Sequence, residues 1–389
     1  MSTRTVHPFP ARMAPEIALD AIPPRTKREL VILDPMCGSG TVLNAARARG
    51  HRAIGIDIDP LAVMMSRVAV SRIDSEELLQ AAKEVVAFSQ GAGGDAPWGD
   101  DEETDRFVDY WFGKKQRSDL LEVTHAVRSL TQGQIRLALE VAISRIIVTK
   151  TPQASLAADT SHSRPHKVLT TSPYDVRSGF ERSVRQLAHM LSQQTASGEA
   201  EVSLGDARDM KGVRRGSVDM AVTSPPYLNA LDYLRGHKLA LIWFGYTISE
   251  LRLRRATSIG SERSATSPAS EDVAAMLRAI EREALDKNLL RKGMVQRFAQ
   301  DCIQFASELS RVLRKDGQAV LVVGNSTLRG NYIRNDVIVQ TAMEIAGFTL
   351  NGRYEREIPP SRRYMAIETP ASSNMGRRMR TEVVMKMGR

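Results

Sequence analysis

Two short stretches carry residue types that could do chemistry. The first is Thr223-Ser-Pro-Pro-Tyr227, directly after the apolar run Val218-Asp-Met-Ala-Val222. Paired prolines fix φ and donate nothing, so neighbouring carbonyls turn away from a sheet ladder. The Ser224 side chain and the Pro225 carbonyl then offer two acceptors, and Pro226 holds the corner. An exocyclic amine has two hydrogens to give, and Tyr227 adds a flat face for a ring. The plainer alternative is a polyproline turn with a core tyrosine. The second stretch is Asp34-Pro-Met-Cys-Gly-Ser-Gly-Thr41, between the apolar run Leu30-Val-Ile-Leu-Asp34 and a helical pattern. Its glycines let backbone approach a ligand, and the helix start beyond offers free N–H groups. It has neither the G-x-G-x-x-G pattern nor the Gly-Lys-Ser/Thr of a phosphate loop. Asp34 at its mouth suits a cation rather than a pyrophosphate.

Other acids fit around this loop. Asp57 ends Ala53-Ile-Gly-Ile-Asp57, where a carboxylate can accept from two ribose hydroxyls. Asp59, followed by Pro60, reads as a helix N-cap with proline at the first turn. Asp206, after Val202-Ser-Leu-Gly, could accept from an adenine amine, although Gly-Asp is also an ordinary turn. Thr171-Ser-Pro-Tyr174 looks like a truncated copy of the diproline loop, but it has one proline and no apolar run before it. Cys37 and Cys302 are the only cysteines; neither follows a proline or sits where it could attack a ring. His162 and His166 have no partner cysteines, so no zinc site is expected.

The elements that must position these residues read as an α/β fold. Leu30–Asp34, Ala53–Asp57, Val202–Asp206, Val218–Val222 and Ala319–Val323 are candidate strands. Their continuous apolar character implies a mostly parallel, buried sheet. Phe348–Tyr354 and Glu382–Met387 would add an antiparallel hairpin at the C-terminal side. Residues 1–73 and 201–389 form the α/β part. Residues 74–200 are mostly helical and charge-rich, and look like an insertion. Residues 228–295 are a polar, arginine-rich helical stretch within the α/β part. The chain has 389 residues, 42% hydrophobic, with 54 Lys+Arg against 45 Asp+Glu, giving +9. That composition excludes wholesale disorder, and the positive field favours a polyanionic partner. No apolar run spans a membrane, no leader pattern opens the sequence and cysteines are few, so a cytoplasmic protein is expected.

The motif set resembles the amino-methyltransferases of DNA, across roughly 1–73 and 201–389. The resemblance implies a Rossmann-like methyltransferase sheet and S-adenosylmethionine as cofactor. It implies that Asp34, Pro35, Cys37, Gly38, Gly40, Thr41, Asp57 and Asp206 bind that cofactor, with Phe9 of His7-Pro-Phe-Pro10 packing near its methionine part. It makes Ser224-Pro225-Pro226-Tyr227 the catalytic loop, with no metal. Serine at the first position resembles the N4-cytosine branch; Asp or Asn is typical of the N6-adenine branch. The C-terminal Arg356–Tyr364 and Arg377–Val384 resemble the end of such enzymes. The implied partner is double-stranded DNA with the target base flipped into the pocket. A restriction enzyme would be another chain. N6-adenine DNA methylation, RNA base methylation and a non-catalytic DNA-binding protein stand as alternatives. Sequence choice would fall to 74–200, with Trp98, Trp111, Phe112 and Arg164–Lys167, or to 228–295, with Arg252, Arg254, Arg255, Arg291 and Lys292, although Trp111-Phe112 reads more readily as a core anchor. The acidic run Asp100–Asp105 is expected to be a solvated loop.

Overall fold

A computed structural model describes residues 6–7, 13–91, 93–158, 165–194, 198–228, 233–261, 271–281, 293–328, 331–359 and 380–389. In chain order the strands are β1 (Val31–Asp34), β2 (Arg52–Asp57), β3 (Ala157–Ala158), β4 (His166–Lys167), β5 (Ala200–Leu204), β6 (Val218–Thr223), β7 (Leu313–Gly324), β8 (Ser326–Leu328), β9 (Asn331–Ile333), β10 (Thr349–Glu357) and β11 (Thr381–Gly388). Seven of them form one sheet in the order β10-β11-β7-β6-β1-β2-β5. The five from β7 to β5 are parallel, and β11 runs antiparallel between β7 and β10. The expected α/β sheet with an antiparallel C-terminal pair is therefore present, Rossmann-like in its parallel part.

The sheet forms because its strands are apolar on both faces. Ile32, Met220, Val222, Val320, Val322 and Val384 face one layer, packed on helices Pro15–Ala21 and Thr41–Ala48. Their chain neighbours Leu33, Ala221, Ala319, Leu321, Val323, Val383 and Met385 face the other, packed on helices Gly293–Val312 and Asn335–Ile345. This alternation is the two-residue period of a strand buried on both sides. The outermost β5 and β10 are mostly exposed, and β10 is mostly polar, as suits an edge.

Several strand boundaries differ from the sequence expectation, two of them with a visible cause. β7 begins at Leu313, because Val218 and Met220 of β6 pair with Leu313 and Gln318, so Arg314–Gly317 bulge out. β5 stops at Leu204 rather than Asp206: the Gly205 N–H makes a last bond to the Asp57 carbonyl (2.9 Å). The Asp206 carboxylate then captures the Arg208 N–H (2.8 Å) and closes a turn.

Residues 74–200 are largely helical, with helices Ser75–Phe88, Glu102–Trp111, Lys114–Ser129, Gln134–Ile147 and Val176–Ser192 and the small β3–β4 pair. Their apolar faces share one cluster with helix Pro60–Val70 and with residues 233–251, so the packing does not stop at residue 73. Trp98 and Phe112 are buried and meet Trp243 edge-on at 5.5 and 5.0 Å. Trp98 and Phe112 are thus core, not base readers. Asp100–Asp105 is not a plain solvated loop either. Asp101 caps helix Glu102–Trp111, whose first turn carries the acids, where the helix dipole favours negative charge. Among the described residues, no helix is long and apolar enough to cross a membrane.

Candidate functional site

The sheet order reverses beside β1, whose neighbours are β6 on one side and β2 on the other. Crevices outside the carboxyl ends of strands at such a reversal are where open α/β sheets take ligands. Both chemistry-bearing motifs sit there. Asp34 closes β1, and Ser224 follows directly on β6. They touch: the Thr223 hydroxyl donates to Asp34 Oδ1 at 2.8 Å, across 189 residues of sequence.

Asp34 is buried and also accepts the Met36 N–H at 3.2 Å. Burial pushes its carboxyl up to about 7; the Thr223 and Met36 hydrogen bonds oppose this, and nearby Asp57 adds to it. Among the described residues no cationic side chain pairs with it. A buried carboxylate in that state gains from a cationic ligand.

The glycine turn is held open by its own backbone. Gly38 and Gly40 take φ of +51° and +82°, the left-handed region that glycine enters freely. A Cβ at Gly40 would lie 3.3 Å from the Ser66 hydroxyl, and that hydroxyl donates to the Gly38 carbonyl at 2.7 Å. Gly40 then caps helix Thr41–Ala48 with no side-chain partner at its start. Ser39 Oγ is buried with no hydrogen-bond partner among the described residues. The Cys37 N–H is bonded to the Ile56 carbonyl at 2.9 Å, which leaves its side chain in the core. Burial pushes the Cys37 thiol well above its ordinary range, with Asp57 and Asp34 adding to it, so it is packing and not a nucleophile.

Asp57 ends β2 beside this turn. Its Oδ2 accepts the Gly38 N–H at 2.8 Å and its Oδ1 the Asp59 N–H at 2.9 Å. Each oxygen keeps a further lone pair for a hydroxyl donor. Burial, then Asp59, raise its carboxyl to about 6. Asp59 is the helix cap expected of it, accepting the Leu61 N–H at 2.9 Å, with Pro60 at the first turn. Its other oxygen meets His237 Nδ1 at 2.5 Å. Asp206 stands at the end of the neighbouring β5, but its carboxylate is gripped by Arg208, with Nη2 at 2.6 Å. Arg208 also pairs with Asp301 at 2.5 Å, so Asp206 is held in place. Phe9 lies outside the described residues.

On the β6 side, the Ser224 hydroxyl donates to the Val322 carbonyl of β7 at 2.9 Å. Its only hydrogen is thereby committed, so Oγ can act only as an acceptor toward anything else. Pro225 is buried; Pro226 and Tyr227 are half-buried. The Tyr227 ring lies against Gly324, where an added Cβ would come within 3.1 Å of the ring. Asn335 secures this corner: its Oδ1 accepts the Leu228 N–H at 3.4 Å, and its Nδ2 donates to the Gly324 carbonyl at 3.1 Å. The second, single-proline loop is elsewhere. Ser172 and Tyr174 carbonyls accept from Gln116 Nε2 at 3.0 and 2.9 Å, and the next residue, Asp175, caps helix Val176–Ser192. It is a helix entry that, among the described residues, no strand of the main sheet leads into.

Sequence reasoning named Thr223 only as the start of the diproline stretch, and passed over Ser66, His237 and Asn335. Thr223 could have been found by aligning the parallel β1 and β6, which pair Leu33 with Ala221. His237 and Asn335 have no local signal, because their partners are distant in sequence. Among the candidate DNA-contacting residues, Arg252 pairs with Glu103, Arg254 lies 6.0 Å over the Tyr246 ring, and Lys167 lies 4.7 Å over the Tyr110 ring. Arg164, Arg291 and Lys292 lie outside the described residues. Among the described residues, no group of three or more His, Cys, Asp or Glu could hold a metal ion.

No family model matches the sequence. The Type II methyltransferase M.MvaI of Kocuria varians is 21% identical to it over 402 residues, spanning 92% of this chain and 85% of that protein. Among solved structures, a SAM-dependent methyltransferase from Methanosarcina mazei aligns over 94% of both chains at 10% identity, with a TM-score of 0.34. The rRNA methyltransferase aviRa from Streptomyces viridochromogenes aligns over 99% of this chain and 90% of that one, at 10% identity and a TM-score of 0.33. Scores at that level add nothing to the topology already described.

Proposed function

We propose that this chain is an S-adenosylmethionine-dependent methyltransferase acting on duplex DNA, with the exocyclic N4 amine of a flipped-out cytosine as acceptor. The observation that carries the reading is the Thr223–Asp34 hydrogen bond of 2.8 Å, which joins a corner suited to a cationic donor to a corner suited to an amine. The similarity over most of both chains to a protein named as a Type II methyltransferase supports the choice of DNA.

The residues present fit the cofactor. Asp34 is a buried carboxylate raised to about 7, and Ser39 holds a buried hydroxyl with no partner among the described residues. Asp34 would hold the ammonium of the methionine part, and Asp57 the ribose hydroxyls. Asp206, steadied by Arg208, would face the adenine edge. When bound, the cofactor supplies an already activated methyl on sulfonium. What remains for the protein is to place the amine in line and exclude water. Ser224 Oγ, fixed as an acceptor by Val322, and the Pro225 carbonyl would each take one amine hydrogen. That would draw the nitrogen lone pair out of the ring and toward the methyl, and the proton the nitrogen gives up as its new N–C bond replaces the S–C bond would pass to water. Pro226 stiffens the loop and Tyr227 stacks on the base.

Methyl transfer from radiolabelled S-adenosylmethionine to mixed-sequence duplex DNA, followed by nucleoside analysis, tests this. N4-methylcytosine is the expected product. N6-methyladenine would move the assignment to the other amine, label only in RNA would change the substrate class, and no transfer to any nucleic acid would overturn the reading.

A further inference from the structure

The motifs leave unexplained a buried histidine–carboxylate pair beside the donor corner. His237 is fully buried on helix Tyr233–Leu241, and its Nδ1 is 2.5 Å from Asp59 Oδ2. That helix is the first element after Tyr227 in the described chain, and Tyr233 stacks on the His237 ring with 6.2 Å between centroids. Asp59 is itself bonded into the other corner: its N–H donates to Asp57 Oδ1 at 2.9 Å, and Asp57 Oδ2 accepts from Gly38 at 2.8 Å. An unbroken series of hydrogen bonds thus runs from the glycine turn through Asp57 and Asp59 to the helix downstream of the diproline loop. Helix capping does not require it, because Asp59 caps with its other oxygen.

We propose that His237 is a positioning residue that ties the outgoing helix of the target-amine corner to the donor corner, so that cofactor and duplex DNA bind with positive coupling through the His237–Asp59 pair. This rests on the function proposed above. The physical argument is rigidity. A ligand hydroxyl on Asp57 tightens the turn that carries Asp59. Asp59 holds His237 in the interior, where a strained or broken hydrogen bond to a carboxylate is costly. Ordering one corner therefore prepares the other, and by linkage the effect is equal in both directions.

The test measures the affinity of a fluorescent duplex, of a sequence the wild type methylates, with and without saturating S-adenosylhomocysteine. Wild type should bind the duplex about 5-fold or more tightly with S-adenosylhomocysteine present. His237→Phe keeps a ring without the Nδ1 donor. Asp59→Asn keeps the helix cap and removes the charge. Both should retain duplex affinity without the analogue and lose the enhancement, raising the KM for DNA more than they lower kcat. His237→Asn, which keeps a donor near the Nδ1 position, should restore part of it. If His237→Phe does not fold, Asp59→Asn decides alone. Equal enhancement in wild type and in the folded variants, or none in wild type, overturns the proposal. Absence of any methyl transfer by wild type instead removes the function it rests on.

Discussion

Asp34→Asn should make the ligand-free protein more stable while disabling it. Burial raises the Asp34 carboxyl from 3.8 to about 7. A group held protonated more firmly when folded contributes its full stability below about pH 4 and loses it as pH rises through 7. At 1.36 kcal/mol per pH unit, the charged carboxylate costs the folded state on the order of 4 kcal/mol by pH 8. Asparagine is nearly isosteric and stays neutral. Its oxygen can still accept from Thr223 and Met36, which now bond Oδ1. Urea unfolding of the two proteins from pH 5 to pH 8 measures the difference. The variant should be the more stable at pH 8, by a margin that shrinks toward pH 5. Added S-adenosylmethionine should stabilise the wild type and leave the variant unmoved. The same protonation weakens binding at low pH: with a value near 7, about a tenth of free chains carry the charge at pH 6, so wild-type affinity should fall roughly tenfold from pH 8. A variant no more stable than wild type at pH 8, or one that still binds the cofactor, would refute the reasoning.

Other consequences are simpler to check. Ser224→Ala removes one acceptor for the amine and should cut single-turnover methylation by about tenfold or more, the factor for each lost 1.4 kcal/mol of transition-state stabilisation. Calorimetric cofactor affinity in that variant should match wild type; unchanged turnover would remove Ser224 from the pocket. Gly55→Ala places a Cβ 2.7 Å from Leu43 Cδ1 and 3.2 Å from Cys37 Sγ. Overpacking of that kind costs about 1–3 kcal/mol, read as a lower urea midpoint, and it presses on the glycine turn. Both cysteines are buried with their thiols pushed up, so a thiol reagent at pH 8 should label neither until the protein is unfolded. Rapid labelling of the native chain would contradict the packing around the glycine turn.

The sheet was legible because its strands are buried on both faces and so leave continuous apolar runs; β1 and β6 agree with the sequence reading to within a residue. Asp59 was legible too, since an N-cap and its proline are local. What was hidden is contact between distant segments. Nothing near Asp34 announces Thr223, 189 residues on, and nothing near Asp59 announces His237, 178 residues on. Trp98 looked like a candidate recognition residue because its partner Trp243 lies beyond the insertion. Asp206 was placed at a strand end by its apolar neighbours, whereas its own side chain ends the strand early by capturing Arg208.

The interleaving of β11 between β7 and β10 bears on how the protein must be made. Every other strand of the sheet emerges from the ribosome before it does. Until β11 docks, β7 has one unpaired edge, and β10 has no neighbour to hold it. That edge is built from Val320, Leu321, Val322 and Val323, a template on which stray chains can add. Premature termination ahead of residue 381 would therefore leave the pocket strands in place but the particle sticky, and such fragments should collect in the insoluble fraction rather than persist as a smaller enzyme.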